Sequence, residues 1–325
     1  MNTINLDNRN KYALLTGATS GIGYELAKLL ATDGYNLVLV ARNKKLLQQM
    51  TDQLKERFNV EITPLAKDLF KKKAPIEIYN KTKEMGISID VLINDAGQGE
   101  RGKFIEIPLE RHLDIIQLNI ASLVSLTKLF LDDMVQRNEG RILQLGSEAG
   151  KAPMPLLSVY AATKAFVVSF SESLSNELKD TGVTVTVLLP GATDTDFFHK
   201  AHAENTVVYR ETELQEAAEV AKDGYEALMK GETRVISGAK TKAHVYMSNM
   251  MPDSMNAANF RKNMEESDKE EGRFQSEHTA SRNERQAIYE ATAEYDGDYP
   301  EENEQTDNTN NELQPNESRV QAGDI

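Results

Sequence analysis

From residue 12 onward, short aliphatic and β-branched runs alternate with longer stretches whose apolar residues recur every three or four positions. The short runs fall at 12–16, 36–41, 60–65, 89–94, 141–146, 183–189 and 234–237. Within them apolar residues follow one another with little polar alternation, the pattern of strands covered on both faces. Between them, segments such as 22–32, 44–58 and 110–136 carry the helical period. Strands alternating with helices predict an α/β fold, a doubly wound parallel sheet in a single domain over residues 1–238.

Two of the expected helices carry more apolar surface than a sheet needs. The segment 110–136 has Leu113, Ile116, Ile120, Leu123, Leu126 and Phe130, and 158–179 has Ala161, Ala165, Val168, Phe166, Phe170 and Leu174 on more than one face. A second stripe predicts a second copy of the chain, in a homodimer or homotetramer, or burial under a loop. Residues 239–264 are rich in methionine (Met247, Met250, Met251, Met255, Met264), with Pro252 between two short helices. They read as an extension that packs over a pocket or a subunit contact. Residues 265–325 are polar and poor in aliphatics, and are expected to be a disordered tail.

Charge sharpens that division. The formal net charge is −14, and 265–325 hold 18 of the 51 acidic residues but only 5 of the 37 basic ones. The rest is nearly balanced, which argues against nucleic acid or an anionic membrane as partner. There is no cysteine, so disulfides and thiolate chemistry are excluded. Residues 1–11 are polar and no stretch reaches about 18 uninterrupted apolar residues, so a cytoplasmic protein without a membrane span is expected.

The first run leads into Gly17-Ala18-Thr19-Ser20-Gly21-Ile22-Gly23 and then a helical pattern. Glycines between a strand and a helix let the backbone approach a pyrophosphate, whose charge is met by free N–H groups and the helix dipole. This Rossmann-like reading predicts a dinucleotide site. The second run ends at Arg42, where an enzyme using NAD would place an acid, so NADP(H) is favoured. Tyr160 and Lys164 stand four apart on one helical face, as do Tyr24/Lys28 and Tyr79/Lys83. Only Tyr160 has a serine, Ser147, thirteen residues upstream at a strand's carboxyl end, with Asn119 among apolar neighbours in an earlier helix.

The set Thr16–Gly23, Asn94-Asp95-Ala96-Gly97, Asn119, Ser147, Tyr160–Lys164 and Pro190-Gly191 resembles the short-chain dehydrogenase/reductase family, in its NADP-preferring, bacterial-type carbonyl reductases. The resemblance implies that Tyr160 is the general acid/base, that Lys164 lowers its pKa and holds the nicotinamide ribose, and that Ser147 orients the carbonyl. It implies a water-positioning role for Asn119. It further implies cofactor contacts from Gly17, Thr19, Ser20, Gly21, Ile22, Gly23, Arg42, Asp68, Asn94, Ala96, Gly97, Pro190, Gly191, Thr193 and Thr195. Asp95 departs from the family's second asparagine, exchanging an amide donor for an acceptor. Gly146 stands where a second serine is common.

The implied activity is hydride transfer between NADP(H) and a carbonyl or secondary alcohol. The alternatives are a non-catalytic NADP-binding sensor or scaffold and a nucleotide-sugar epimerase, the latter lacking a sugar-binding domain here. Pocket walls are expected at 98–104, 148–157 and 194–208, mixing Met154, Leu156, Leu157, Phe197 and Phe198 with Glu148, His199 and His202. A medium-sized, mainly apolar small-molecule substrate suits them. His199 and His202 have no third partner in the pattern, and no metal is expected.

Overall fold

A computed structural model describes residues 8–269. Seven strands, β1 (Tyr12–Thr16), β2 (Asn36–Ala41), β3 (Ile62–Ala66), β4 (Ile89–Asn94), β5 (Gly140–Leu145), β6 (Val183–Leu189) and β7 (Arg234–Ile236), form one sheet in the order β3-β2-β1-β4-β5-β6-β7. Every pairing is parallel. Side chains alternate between two buried faces: Ala13, Leu15, Leu37, Leu39, Val91 and Ile93 enter one core, and Leu14, Val38, Val40 and Leu92 enter the other. Burial on both faces is why the runs lack polar alternation.

The helices that cover the first face are α1 (Gly21–Thr32), α2 (Lys44–Arg57) and, late in the chain, α9 (Ala217–Lys230). The second face carries α3 (Ala74–Glu84), a long helix Leu109–Gln136, and α6 (Ser158–Glu177). Local signals set the ends. The Asn43 side chain accepts the Leu46 N–H at 2.9 Å to cap α2, and α9 stops at Gly231, whose φ of +70° suits glycine.

The long helix is α4 (Leu109–Ile116), one wide π-helical turn (Gln117–Ser122) and α5 (Leu123–Gln136). Among the described residues it is the one helix long and apolar enough to cross a membrane. In this fold Leu118, Leu123, Leu126, Phe130 and Met134 bury that apolar character on the sheet. Its expected second stripe is also real: Leu109, Leu113 and Ile116 are exposed, together with Phe104, Ile105 and, on α6, Phe166.

Two short helices, α7 (Phe197–Lys200) and α8 (Val207–Glu211), follow β6. The methionine-rich extension forms α10 (Ala239–Met250) and α11 (Asp253–Met264), broken at Pro252 as the pattern predicts. The composition-based tail boundary at 265 needs correcting. Val207 N–H donates to Glu265 O at 3.1 Å, Ser267 N–H donates to Asn205 O at 2.9 Å, and Glu266 pairs with Arg101 at 3.5 Å, so residues 265–269 strap onto the α7–α8 region. The expectation of disorder for the remainder lies outside the described residues.

Candidate active site

Strand order reverses between β1 and β4, leaving a crevice at their carboxyl ends where open α/β sheets bind ligands. Thr16 and Asn94 are register partners there, so the two turns that follow lie side by side. Thr16 Oγ1 ties them together, accepting the N–H groups of Asp95 and Ala96, each at 3.1 Å. Gly17 and Gly21 have φ of +70° and +56°, and a Cβ on Gly17 would come within 2.9 Å of the Ala96 nitrogen. A Cβ on Gly21 would lie 2.8 Å from the Thr195 methyl. The turn is thus a backbone cradle with free N–H groups at the start of α1, suited to a pyrophosphate. Gly17, Ser20, Gly21 and Ile22 face the cavity, and Thr19 and Gly23 do not.

Ser147 follows β5 in extended conformation (φ −171°, ψ 157°) and is fixed by its neighbours: Gly146 N–H donates to Leu188 O at 2.8 Å and Glu148 N–H to Pro190 O at 2.9 Å. Gly146 suits this crowding, because a Cβ there would stand 3.1 Å from the Leu188 oxygen. The turn after Ser147 packs on α6 through Gly150, where a Cβ would lie 2.7 Å from the Lys164 carbonyl carbon. That contact brings Ser147 and Tyr160 together at the cavity wall, close enough for the serine side chain to favour the ionised phenol. Lys164, one turn on, lies with its Nζ 5.7 Å from the Tyr160 ring centre and donates to Leu145 O at 2.7 Å.

The π-helical turn holds Asn119, a common placement of such turns at functional sites. Its Oδ1 accepts the Gln98 N–H at 3.0 Å, and its Nδ2 donates to Gln98 O and Thr163 Oγ1, both at 2.9 Å. Thr163 in turn donates to Tyr160 O at 2.7 Å. Asn119 therefore fastens the Gly97–Gln98 backbone to α6, and its Oδ1 stands 3.4 Å from where a Gly97 Cβ would be.

Burial pushes the Tyr160 phenol well above the usual tyrosine range, with the Glu148 and Asp95 carboxylates adding to it and the Ser147 side chain offsetting only part. The Lys164 ammonium is aimed at the Leu145 carbonyl. Burial lowers Lys164 itself to about 8, against the pull of Asp95. Asp95 rises to about 7, chiefly from burial, with Lys164, Lys200 and the Gly23 N–H acting the other way.

The remaining expected residues separate into two groups. Ala96, Gly97, Pro190, Gly191, Thr193 and Thr195 face the cavity, which is about 450 Å³. Arg42 and Asp68 lie outside it at the ends of β2 and β3. Arg42 is exposed, 5.0 Å over the Phe70 ring and unpaired with any carboxylate among the described residues, while Asp68 Oδ1 caps the Phe70 N–H at 3.1 Å. Asn94 turns away from the crevice: its Nδ2 donates to Thr127 Oγ1 at 3.1 Å and Gln144 Oε1 at 3.0 Å, so its side chain serves the buried sheet rather than a cofactor.

Met154, Leu157, Phe197, Phe198 and Glu148 line the cavity as expected. Residues 98–104 do not, and Phe104 is exposed and stacked on His112. Leu156, His199 and His202 also fall outside. His202 bonds Glu100 at 2.6 Å, and among the described residues no group of three His, Asp or Glu is placed to hold a metal. The C-terminal extension packs over the cavity, one of its two expected placements, through Thr241 and His244 on α10 and Phe260, Asn263 and Met264 on α11, while Thr212, Glu213 and Gln215 line it without having been expected. His244 Nδ1 approaches Glu148 at 3.7 Å. Methionine enrichment hints at packing there but does not say against what.

A doubly wound sheet with a glycine cradle at its switch point, and a serine, tyrosine and lysine at the adjoining strand end, defines the class. The chain belongs to the short chain dehydrogenase family, whose pattern matches residues 11–206. Among curated proteins it is similar to the very-long-chain 3-oxoacyl-CoA reductases of Rattus norvegicus, 39% identical over 186 residues, and Homo sapiens, 38% identical over 186 residues. Each match covers 55% of this chain and 58% of the relative, so the chain spans less than three-fifths of the length of these reductases. Two solved structures are similar over more of the chain. A short-chain dehydrogenase from Sphingobium yanoikuyae in complex with NADPH has a TM-score of 0.68 at 29% identity, covering 79% of this chain and 99% of that one. A bulky-bulky ketone specific alcohol dehydrogenase from Comamonas testosteroni has a TM-score of 0.63 at 30% identity, covering 74% and 93%.

Proposed function

We propose that the chain is an NADP(H)-dependent oxidoreductase that reduces the carbonyl of a bulky, mainly apolar ketone or 3-oxoacyl compound. The observation that carries this reading is that Ser147, Tyr160 and Lys164 line one cavity with aromatic and aliphatic walls beside the glycine cradle. The residues fit the dinucleotide: the cradle admits no Cβ at Gly17 or Gly21, and Arg42 offers a guanidinium for a 2′-phosphate. The names of the similar proteins, a 3-oxoacyl-CoA reductase and a bulky-bulky ketone specific alcohol dehydrogenase, agree with the wall chemistry.

Bound NADPH supplies the hydride. Ser147 donates to the substrate oxygen and holds it toward the phenol, a hydrogen bond that strengthens as negative charge develops there. Tyr160 gives its proton to that oxygen. A phenol held above its ordinary range stays protonated at neutral pH, the form needed to act as an acid toward a carbonyl. Lys164, positively charged below about pH 8, holds the ribose hydroxyls and stabilises the phenolate left behind. Phe197, with its ring centre 4.8 Å from that of Tyr160, and Met264 exclude water from this face.

The exposed face of Leu109, Leu113 and Ile116 fits a second copy of the chain. Leu113→Glu should then shift the sedimenting species toward monomer, and a wild-type chain monomeric at micromolar concentration would remove this part of the reading. The function is tested by NADPH consumption against a panel of bulky ketones and 3-oxoacyl thioesters. Binding of NADPH without turnover on any of them would favour a sensor.

A further inference from the structure

The Asp95 side chain is wedged under the glycine cradle. Its Oδ2 stands 2.7 Å from where a Gly17 Cβ would be and 2.5 Å from that of Gly23. The Gly23 N–H bonds the carboxyl. Its Oδ1 is shielded from solvent and has no hydrogen-bond partner. The residue as a whole is half-buried and faces the cavity in which the dinucleotide is proposed to lie. A carboxylate in this place has one oxygen unsatisfied and adds a negative charge beside a pyrophosphate site, whereas a neutral acid turns the orphan oxygen into a donor and removes the repulsion.

We propose that Asp95 is a positioning residue that supports the glycine cradle in its protonated form, so that binding of the dinucleotide takes up a proton at Asp95 and weakens as pH rises above neutrality. This rests on the dinucleotide reading above. The groups that face Asp95 are Lys164 and Tyr160 from α6, Lys200 from α7 and the Gly23 N–H from α1. The two cations favour the carboxylate and set the midpoint near neutrality rather than far above it. The sign follows. Unliganded Asp95 loses its proton near pH 7, and a nearby anion raises that value further in the complex. Between the two values the complex holds a proton that the free protein lacks, and affinity falls by up to about tenfold per pH unit.

The experiment is NADPH binding followed by fluorescence from pH 7 to 9, above the range in which a phosphate monoester titrates at about 6. It is paired with calorimetry in buffers of different ionisation enthalpy to count protons taken up. The wild type should weaken several-fold across this range with net proton uptake. Asp95→Asn keeps an acceptor for the Gly23 N–H and supplies a permanent donor at the second position, so its dissociation constant should rise far less steeply than the wild type's, the remaining slope being that of Lys164, and should be several-fold tighter than wild type at pH 9. Lys164→Met removes a countercharge, so the fall should persist and begin at higher pH. A slope unchanged in Asp95→Asn, or abolished in Lys164→Met, would assign the titration to Lys164 and overturn the proposal. A wild-type affinity independent of pH would overturn it too, while absence of NADPH binding at every pH would refute the dinucleotide reading instead.

Discussion

The two sides of the cavity are built in different ways. The cradle side is made by backbone: β1 and β4 end in register, and Gly17, Gly21 and Thr16 shape two adjoining turns through φ angles and close approach. The opposite wall is made by side chains from α7, α10 and α11, and Phe260 and Met264 reach it from more than a hundred residues beyond Ser147. Backbone turns tolerate few residue types, so they leave a fixed pattern in the sequence. An apolar wall needs only volume and hydrophobicity, which many residues satisfy. The first side thus carries a pattern legible in the sequence, and the second does not.

The sharpest break between them comes at Tyr160, which belongs to the chemistry and touches both sides. Tyr160→Phe retains the ring packed on Phe197 but removes the proton donor. Turnover should fall about a hundredfold or more, with NADPH affinity little changed. Tyr24→Phe is the control: Tyr24 lies under Lys28 at 5.1 Å with the same spacing but no serine, and should leave turnover intact. Wild-type turnover by Tyr160→Phe on a confirmed substrate would be fatal to the assignment.

Gly150 tests how far the chemistry depends on one close approach. A Cβ there meets backbone atoms of Lys164 and Ala165 at 2.7–2.8 Å, which no side-chain rotation relieves. Gly150→Val should lower stability by about 1–3 kcal/mol, the range of overpacked sites, and cut turnover by moving Ser147 away from Tyr160. Thermal unfolding and steady-state kinetics read the two effects. Full activity in a stably folded variant would show that the turn is not what sets the serine.

Arg42 lies at the outer end of the cradle side, and its expected effect is on selectivity alone. Arg42→Ala should reduce the preference for NADP over NAD by about ten- to a hundredfold, the weight of one charged hydrogen bond of about 1.5–3 kcal/mol. Dissociation constants for both cofactors check it, and equal values in the wild type would already dismiss the arginine's role.

The same contrast explains what could be read in advance. All seven strands and the break at Pro252 were legible because two-face burial and proline leave local marks. So were Ser147, Tyr160 and Lys164, whose meaning depended on order along the chain. Motif position fixes the Asn94 backbone, while the direction of its amide is decided by Thr127 and Gln144, partners 33 and 50 residues away. The direction of the Lys164 ammonium is likewise not set by spacing alone. A spacing of four places two side chains on one helix face, but the Leu145 carbonyl decides where the ammonium points. His244 beside Glu148 and the α11 wall rest on long-range packing that no local pattern encodes.

The smallest effect concerns where the C-terminal wall ends. Met264 is the last residue facing the cavity, and residues 265–269 hold it by pairing with the α7–α8 segment through Val207, Asn205 and Arg101. A chain ending at Met264 loses the backbone hydrogen bonds to Val207 and Asn205, the Arg101–Glu266 pair and the bonds of Ser267 and Lys269 to Glu211 and Arg210. At about 0.5–1.5 kcal/mol net for each backbone bond, and little for the exposed pairs, the loss should total about 1–3 kcal/mol, or a melting point lower by several degrees. The Michaelis constant for an apolar substrate should rise a few-fold as Met264 loosens, with cofactor affinity unchanged because the cradle is untouched. A chain ending at Lys269 keeps every one of these contacts, and should match the full-length protein in melting point and turnover. If the two truncations behave alike, the strap contributes nothing and the wall is held by α11 alone. If NADPH affinity drops in the shorter chain, the two sides of the cavity are not separable in the way their construction implies.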